Sequence, residues 1–441
     1  MSDPERFAKL SEVCIKISDG THHSPKVQFA DPGKGRFKYI TSKNLRPWGM
    51  DLTDIAYVTE DVHRGIYDRC NPELGDVLLT KDGANTGMVA INTLDEEFSL
   101  LSSVALLKPD RSVLEPRYLR YFLESPEGIK RIAGKMTGTA IRRIILKHIK
   151  DAAMPLVPLP EQKRIVDDIE KQFTRLEAGV AALRRTQANL KRYRASVLKA
   201  ACEGRLVPTE AELARAEGRS YETADQLLAR YVKDFDPNAM LPHDAEGWGQ
   251  YKIGSILEVC IGSTPSRKHP DYWNGEIAWV SSGEVAFCKI QRTRECITKA
   301  GFENSSVKLH PPGTVLLAMI GEGRTRGQAA LLETEAANSQ NSAALRPSAA
   351  LNSTYLYYFL CGQYEQTRKT SSGNNQPALN KGRVQQIVLP VPPLAEQTRI
   401  VAEIERCLSV VDQLEATVTA NLQGAIRLRQ SILKRLFSGT L

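Results

Sequence analysis

Apolar and small residues recur at Ile165, Ile169, Phe173, Leu176, Val180, Leu183, Leu190 and Val197, and again at Ile400, Ile404, Leu408, Val411, Val418, Leu422 and Ile432. The intervals are mostly threes, fours and their sum, the spacing of a coiled-coil seam. This pattern predicts two long helices, paired antiparallel. Proline lies just before or within the first turn of each, followed by Glu161 or Glu396. Proline gives up a donor that is unpaired there in any case, and the carboxylate faces the positive end of the helix dipole. Helix-permitting sequence runs to Cys202 and Phe437, and Gly204 and Gly439 then act as stops. At 1.5 Å per residue each helix spans about 60 Å. Elsewhere the apolar runs are short and bounded by turn residues: Val77–Leu79, Val104–Leu107, Ala278–Val280 and Val315–Met319. These read as short strands, so the expected class is α+β.

The two helical stretches are copies. Pro155-Leu156-Val157-Pro158-Leu159-Pro160-Glu161-Gln162-Lys163-Arg164-Ile165-Val166 returns as Pro390-Val391-Pro392-Pro393-Leu394-Ala395-Glu396-Gln397-Thr398-Arg399-Ile400-Val401. The same offset holds at Ser196/Ser431, Lys199/Lys434 and Gly204/Gly439. Weaker echoes precede each copy. Gly75-Asp76-Val77-Leu78-Leu79 parallels Gly313-Thr314-Val315-Leu316-Leu317, and Tyr118/Phe122 parallels Tyr355/Phe359. Framework positions match while the stretches between them diverge, as in two copies of one fold facing two different ligands. The organisation expected is two tandem α/β recognition domains, residues 1–150 and 246–385, with a pseudo-two-fold repeat. Each is followed by a long helix, residues 151–203 and 386–441, and residues 204–245 form a linker with a short helix.

Composition adds limits. The chain has 441 residues, 42% hydrophobic and 25% charged, which fits a folded protein rather than a disordered one. No apolar run approaches the roughly 18 residues of a membrane helix. Met1-Ser2-Asp3-Pro4-Glu5 has neither region of a signal peptide, so a cytoplasmic protein without membrane contact is expected. The eight cysteines include no C-x-x-C pair and read as free thiols. The net charge of +8 permits a polyanionic partner without requiring one.

Enzymatic signatures fail when tested. Gly321-Glu322-Gly323-Arg324-Thr325-Arg326-Gly327 has its last glycine one position too late for a dinucleotide loop, and no Gly-Lys-Ser/Thr follows for a P-loop. Pro311-Pro312 is followed by Gly313, so the tetrad of adenine methyltransferases is missing. His22-His23 lacks a second ligand cluster, and Glu73, Asp76 and Lys81 are poorly spaced for a nuclease. No catalytic or metal residue is assigned.

Loops rich in Ser, Thr, Asn, Gly and Arg fit DNA contact better. Hydroxyl, amide and backbone N–H groups reach phosphates, and Arg, Lys, Asn and Gln read base edges. The candidates are Thr21, His22, Lys43, Lys81, Asn85, Thr86, Arg142 and Arg143 in the first domain. In the second they are Thr264, Arg267, Ser282, Arg324, Thr325, Arg326, Gln328, Asn374 and Asn375. Each run also reads as an ordinary turn. Seam candidates are Ile165, Ile169, Leu176, Leu183, Leu190 and Val197, against Ile400, Ile404, Val411, Val418, Leu422 and Ile432. Arg184, Arg185, Lys191, Arg192 and Arg194 read as a solvated face or as phosphate contacts.

The doubled Pro-x-x-Pro-Leu-x-Glu-Gln-x-Arg-Ile-Val openings, each leading a long helix behind a divergent domain, resemble the DNA-specificity subunits of Type I restriction–modification systems. Leu10-Ser11-Glu12-Val13 with Asp19-Gly20-Thr21-His22, and Gly247-Trp248 with Ile253-Gly254-Ser255-Ile256, resemble the openings of target-recognition domains. The resemblance implies that each domain reads half of a split, asymmetric site in double-stranded DNA and that the helices act as a ruler for the spacer. It implies two methylation subunits as partners, carrying S-adenosylmethionine and flipping the target adenine. It also implies restriction subunits with an ATP- and Mg-dependent motor, and no cofactor on this chain. The alternatives by residue reading are a self-contained nuclease or methyltransferase with duplicated domains, and a coiled-coil adaptor that binds no DNA.

Overall fold

The computed structural model describes residues 6–83, 85–133, 143–321, 323–369 and 379–437. The chain divides into two compact units, residues 1–185 with 418–441, and residues 186–417.

The first unit is organised on a four-stranded antiparallel sheet in the order Cys14–Asp19, Val104–Pro109, Val77–Thr80, Val89–Ile91. Every residue of the two central strands is buried. Alternation explains why they read as unbroken apolar runs. Val77, Leu79, Ala105 and Leu107 face a core with Tyr118, Leu119 and Phe122 of the helix Pro116–Glu124 and with Ile165, Ile169 and Phe173 of the first long helix. Leu78, Val104 and Leu106 face a second core with Tyr39, Ile40, Leu45 and Leu100. Both faces of the sheet are therefore covered. The strand Arg6–Lys9 pairs antiparallel with Ala153–Leu156, just before the first long helix.

The second unit repeats this plan. Its five-stranded sheet runs Val259–Ile261, Ser342–Leu345, Val315–Ala318, Ala329–Leu332, Cys288–Ile290. Val315, Leu317, Ala343 and Leu345 face Tyr355, Leu356 and Phe359, while Leu316, Ala318 and Ala344 face Val280, Val285 and Ile290. Gly249–Lys252 pairs with Val388–Val391, as Arg6–Lys9 does with Ala153–Leu156. The linker holds two helices, Glu210–Glu217 and Ala224–Tyr231, rather than the single one expected. Thr209 and Thr223 cap them with the reciprocal Thr-x-x-Glu/Gln bonds that stabilise a helix start, which the composition alone obscured.

Both long helices, Leu159–Cys202 and Leu394–Phe437, have 44 residues, about 66 Å each. Ile165, Ile169, Leu190, Val197, Ile400, Ile404, Val411 and Val418 are buried, and Leu176, Leu183, Leu422 and Ile432 are half-buried. Arg429 pairs with Glu177, while Arg194 pairs with Asp412 and Glu415. Within the first unit the opening of the first long helix, Ile165, Ile169 and Phe173, shares a core with the last turns of the second, Leu433 and Phe437, so the two run antiparallel there. Arg194 occupies a seam step, seven residues after Gln187 and seven before Ala201, and Glu415 occupies the matching step of the other helix. A paired charge on a mostly apolar seam favours one register over its slipped alternatives.

The Glu-Gln repeat now has a physical role. Gln162 is fully buried. Its Oε1 accepts from Glu115 N at 2.9 Å, and its Nε2 donates to Val113 O and Val157 O, both at 2.8 Å. Gln397 does the same for Asn352 N at 2.7 Å, Ala350 O at 3.2 Å and Pro392 O at 2.9 Å. Each glutamine thus satisfies the loop that leads into the helix on the sheet. Tyr118 Oη to Pro155 O, 3.1 Å, and Tyr355 Oη to Pro390 O, 2.8 Å, complete the same joint. The glutamates differ. Glu161 pairs with Arg164 at the surface, whereas buried Glu396 accepts from Glu210 N and Trp248 Nε1 and fixes the linker.

Candidate nucleic-acid interface

At one end of each sheet the connecting loops converge. In the first domain Thr21 N donates to Leu100 O at 2.9 Å, and Ser102 N returns to Thr21 O at 2.8 Å. Ser42 N donates to Ser103 Oγ at 3.3 Å, Lys81 N to Ser103 O at 2.9 Å, and Ile144 N to Lys81 O at 2.8 Å. The second domain reproduces this frame. Ser263 N donates to Asn338 O at 2.9 Å, Met319 N to Asn341 O at 2.8 Å, and Leu379 N to Met319 O at 3.0 Å. The crossing of the first loop over its neighbour requires glycine in both copies. A Cβ on Gly20 would lie 1.7 Å from Leu100 O, and one on Gly262 would lie 2.2 Å from Asn338 O.

The side chains on this common frame differ. In the first domain Thr21, His22, Lys43, Asn85, Thr86 and Arg143 lie on the loop end, with His22, Lys43 and Arg143 exposed. Arg143 reaches Asp82 at 3.2 Å. In the second domain Thr264, Ser282, Arg324, Thr325 and Gln328 lie there, and Arg324 is exposed. Arg142, Asn374 and Asn375 lie outside the described residues.

Several candidates are spoken for within the protein. Lys81 is a correction. It is 3% exposed, and its Nζ pairs with Asp19 at 3.1 Å, beneath the surface that would meet DNA. Asp19 also binds Arg69 at 2.9 Å. A buried ammonium needs that carboxylate more than a phosphate, since leaving either ion alone in the interior is costly. The equivalent positions in the second sheet, Ile261 and Met319, are apolar. Asn85 is half-buried, and its Nδ2 donates to Ser42 O at 3.0 Å, so it ties two loops together. Thr86 Oγ1 donates to Gly83 O at 2.6 Å, closing its own turn. Arg326 is buried, 7% exposed, and its side chain does not lie on the surface. Arg267 forks onto Glu295 at 2.5 and 2.9 Å with its guanidinium 3.6 Å from the Trp273 ring, which holds the excursion after Thr264. Sequence spacing cannot register the pairings of Lys81, Asn85 and Arg267, because their partners come from distant segments.

His310 of the second domain is fully buried, and its backbone bridges to Ala336. Burial and the neighbouring Arg346, whose Nε donates to Nδ1 at 3.4 Å, push its pKa down to about 4 from 6.5. The unfolded chain therefore binds a proton first as pH falls. Stability from this residue is complete above about pH 6.5 and is lost progressively towards pH 4, by about 3 kcal/mol at most. Denaturant midpoints measured from pH 7 to 4 should fall, and His310→Gln should flatten that slope. An identical slope in the variant would contradict the assignment.

The arrangement offers hydroxyls, amides and a few exposed cations on glycine-bearing loops, the inventory for phosphate and base-edge contact. Among the described residues no group of three or more His, Cys, Asp or Glu can hold a metal ion. No helix among them is long and apolar enough to cross a membrane.

The model of the Type I restriction modification DNA specificity domain matches twice, over residues 4–182 and 245–423. The chain belongs to that family. Each match joins one domain to most of the long helix behind it, so the family's unit is the repeat itself. The Type I restriction enzyme MjaIX specificity subunit of Methanocaldococcus jannaschii is 30% identical over 158 residues, 35% of this chain and 36% of that subunit. That match spans about a third of the relative's length. The StySPI specificity subunit of Salmonella potsdam and the EcoKI specificity subunit of Escherichia coli are both 22% identical, over 91% of this chain and 82% of theirs. Among solved structures, a chain described under the assembly and conformational transition of the type I R-M system aligns with TM-score 0.71 at 20% identity. The alignment covers 100% of this chain and 99% of that one. The HsdS subunit from Thermoanaerobacter tengcongensis aligns with TM-score 0.56, also at 20% identity, over 99% and 97%. At that identity both support the fold: two specificity domains in tandem, each with its long helix.

Proposed function

We propose that this chain is the DNA-reading subunit of a cytoplasmic Type I restriction–modification complex and performs no chemistry itself. Each domain reads one half of a divided, asymmetric duplex site through its loop end. The paired helices fix the length of unread spacer between the halves. Two methylation subunits and the restriction subunits dock on this scaffold. S-adenosylmethionine, ATP and Mg are held by those partners and none by this chain.

The observation that carries this reading is the contrast between frame and surface. The same backbone bonds, Thr21 N to Leu100 O and Ser263 N to Asn338 O, hold the loops in both domains. On that shared frame one domain presents His22, Lys43 and Arg143, the other Thr264, Arg324 and Thr325. A repeat that keeps its joints and varies its exposed loops suits two readers of different base sequences. Exchange of residues 1–150 for a relative's domain should alter one half of the recognised sequence and leave the other half and the spacer unchanged. Sequencing of duplexes selected by the exchanged complex reads this directly, and a change in both halves would contradict the assignment.

A further inference from the structure

The hairpin loop nearest the candidate interface is built differently in the two domains. In the first, six residues separate Thr80 from Gly87, whose N donates back to Thr80 O at 2.8 Å. Asn85 and Thr86 tie that loop down with their own side chains. In the second, eight residues separate Ala318 from Gly327, with the same closing bond at 2.8 Å. Both loops carry glycines at positive φ, Gly83 and Gly87 in the first and Gly321 and Gly327 in the second, a backbone that other residues resist. The second loop is the longer one and has more conformations to lose on ordering.

It is held from behind, by the short helix Tyr364–Lys369. Tyr364 Oη donates to Arg324 O at 2.7 Å. Arg368 Nη2 donates to Gly323 O at 2.9 Å, and Nη1 to Arg326 O at 3.1 Å. The Arg368 guanidinium lies 5.3 Å from the centre of the Tyr364 ring, and Phe287 braces that ring edge-on at 5.1 Å. Three carbonyls of the loop are thus drawn inward while the Arg324 side chain stays exposed. We infer that Arg368, with Tyr364, is a positioning residue for recognition of the second half-site: it sets the loop's shape, and through it the placement of Arg324 and Thr325, without touching DNA. Recognition contacts tolerate errors of about half an ångström, so a loosened loop loses discrimination before it loses attraction to phosphates. Lysine cannot replace the fork, because one ammonium does not span two carbonyls held by separate nitrogens of a planar group.

This rests on the reading that the loop meets DNA, and the experiment separates the two. The full chain, in complex with its methylation subunits, selects duplexes from a randomised library, and the enriched sequences are read for each half-site. Arg368→Lys and Tyr364→Phe, both mild enough to preserve the fold, are compared with Arg324→Ala. The expected result is a roughly tenfold loss of discrimination at the second half-site for Arg368→Lys. The first half-site and salt-dependent binding to unrelated duplex should be unchanged, which a general structural defect would not allow. If Arg324→Ala relaxes the second half-site while Arg368→Lys and Tyr364→Phe leave it sharp, the positioning role is overturned and the loop reading stands. If Arg324→Ala also leaves it sharp, the loop does not read DNA and both fail.

Discussion

Replacing Gln397 by Met should lower the stability of the protein by roughly 3–5 kcal/mol, although the two side chains have similar volume. Methionine fills the space without opening a cavity, so the loss isolates hydrogen bonding. The Asn352 N–H and the carbonyls of Ala350 and Pro392 would lose their side-chain partner within a joint where Gln397 itself is fully buried. Each group left unpaired in the interior costs about 1–3 kcal/mol, and the sum is less than additive because the loop can shift. Gln162→Met should behave alike in the other unit, where the three partners are Glu115, Val113 and Val157. Exposed Gln423→Met serves as the control in the same urea titration. A midpoint shift for Gln397→Met no larger than the control's would show that the glutamine is not what holds the joint.

The second large effect concerns the buried pair of the first sheet. Lys81→Met removes one ion and leaves Asp19, 1% exposed, with Arg69 as its remaining strong partner. A loss of roughly 2–4 kcal/mol is expected, somewhat below the usual value for breaking a buried pair because Arg69 stays. The internal repeat supplies the remedy. At the same places the second sheet carries Ile261 and Met319, so Asp19→Ile combined with Lys81→Met should recover most of the loss. The coupling between the two substitutions, measured by a double-mutant cycle on denaturation curves, should therefore be large and favourable. A double variant no more stable than Lys81→Met alone would mean that the site tolerates no apolar pair, and that the two sheets are not equivalent there.

These two cases also mark what the sequence makes legible. The helices were visible because a seam repeats every seven residues and needs no knowledge of the partner. The central strands were visible as apolar runs, since both faces of each sheet are covered. The Glu-Gln repeat was visible as a repeat, but the role of its glutamine was not, because its partners are backbone groups that carry no signature. Lys81 read as a free cation in a polar loop, and its partner Asp19 sits 62 positions away on a strand it meets only through the fold. Arg368 gives no local signal at all for the same reason, since the loop carbonyls it holds lie more than forty positions away. What periodicity and local turn chemistry determine is readable in advance. Pairings between distant side chains, which decide whether a polar residue is free to meet DNA, are not.

The central claim is that the two loop ends read two separate stretches of duplex. The direct test is selection from a randomised duplex library by the complete chain with its methylation subunits. The account predicts two short specified blocks separated by a gap of fixed length and no preference, with binding that weakens as salt rises. Enrichment of one continuous block, or no enrichment over the starting library, would contradict it.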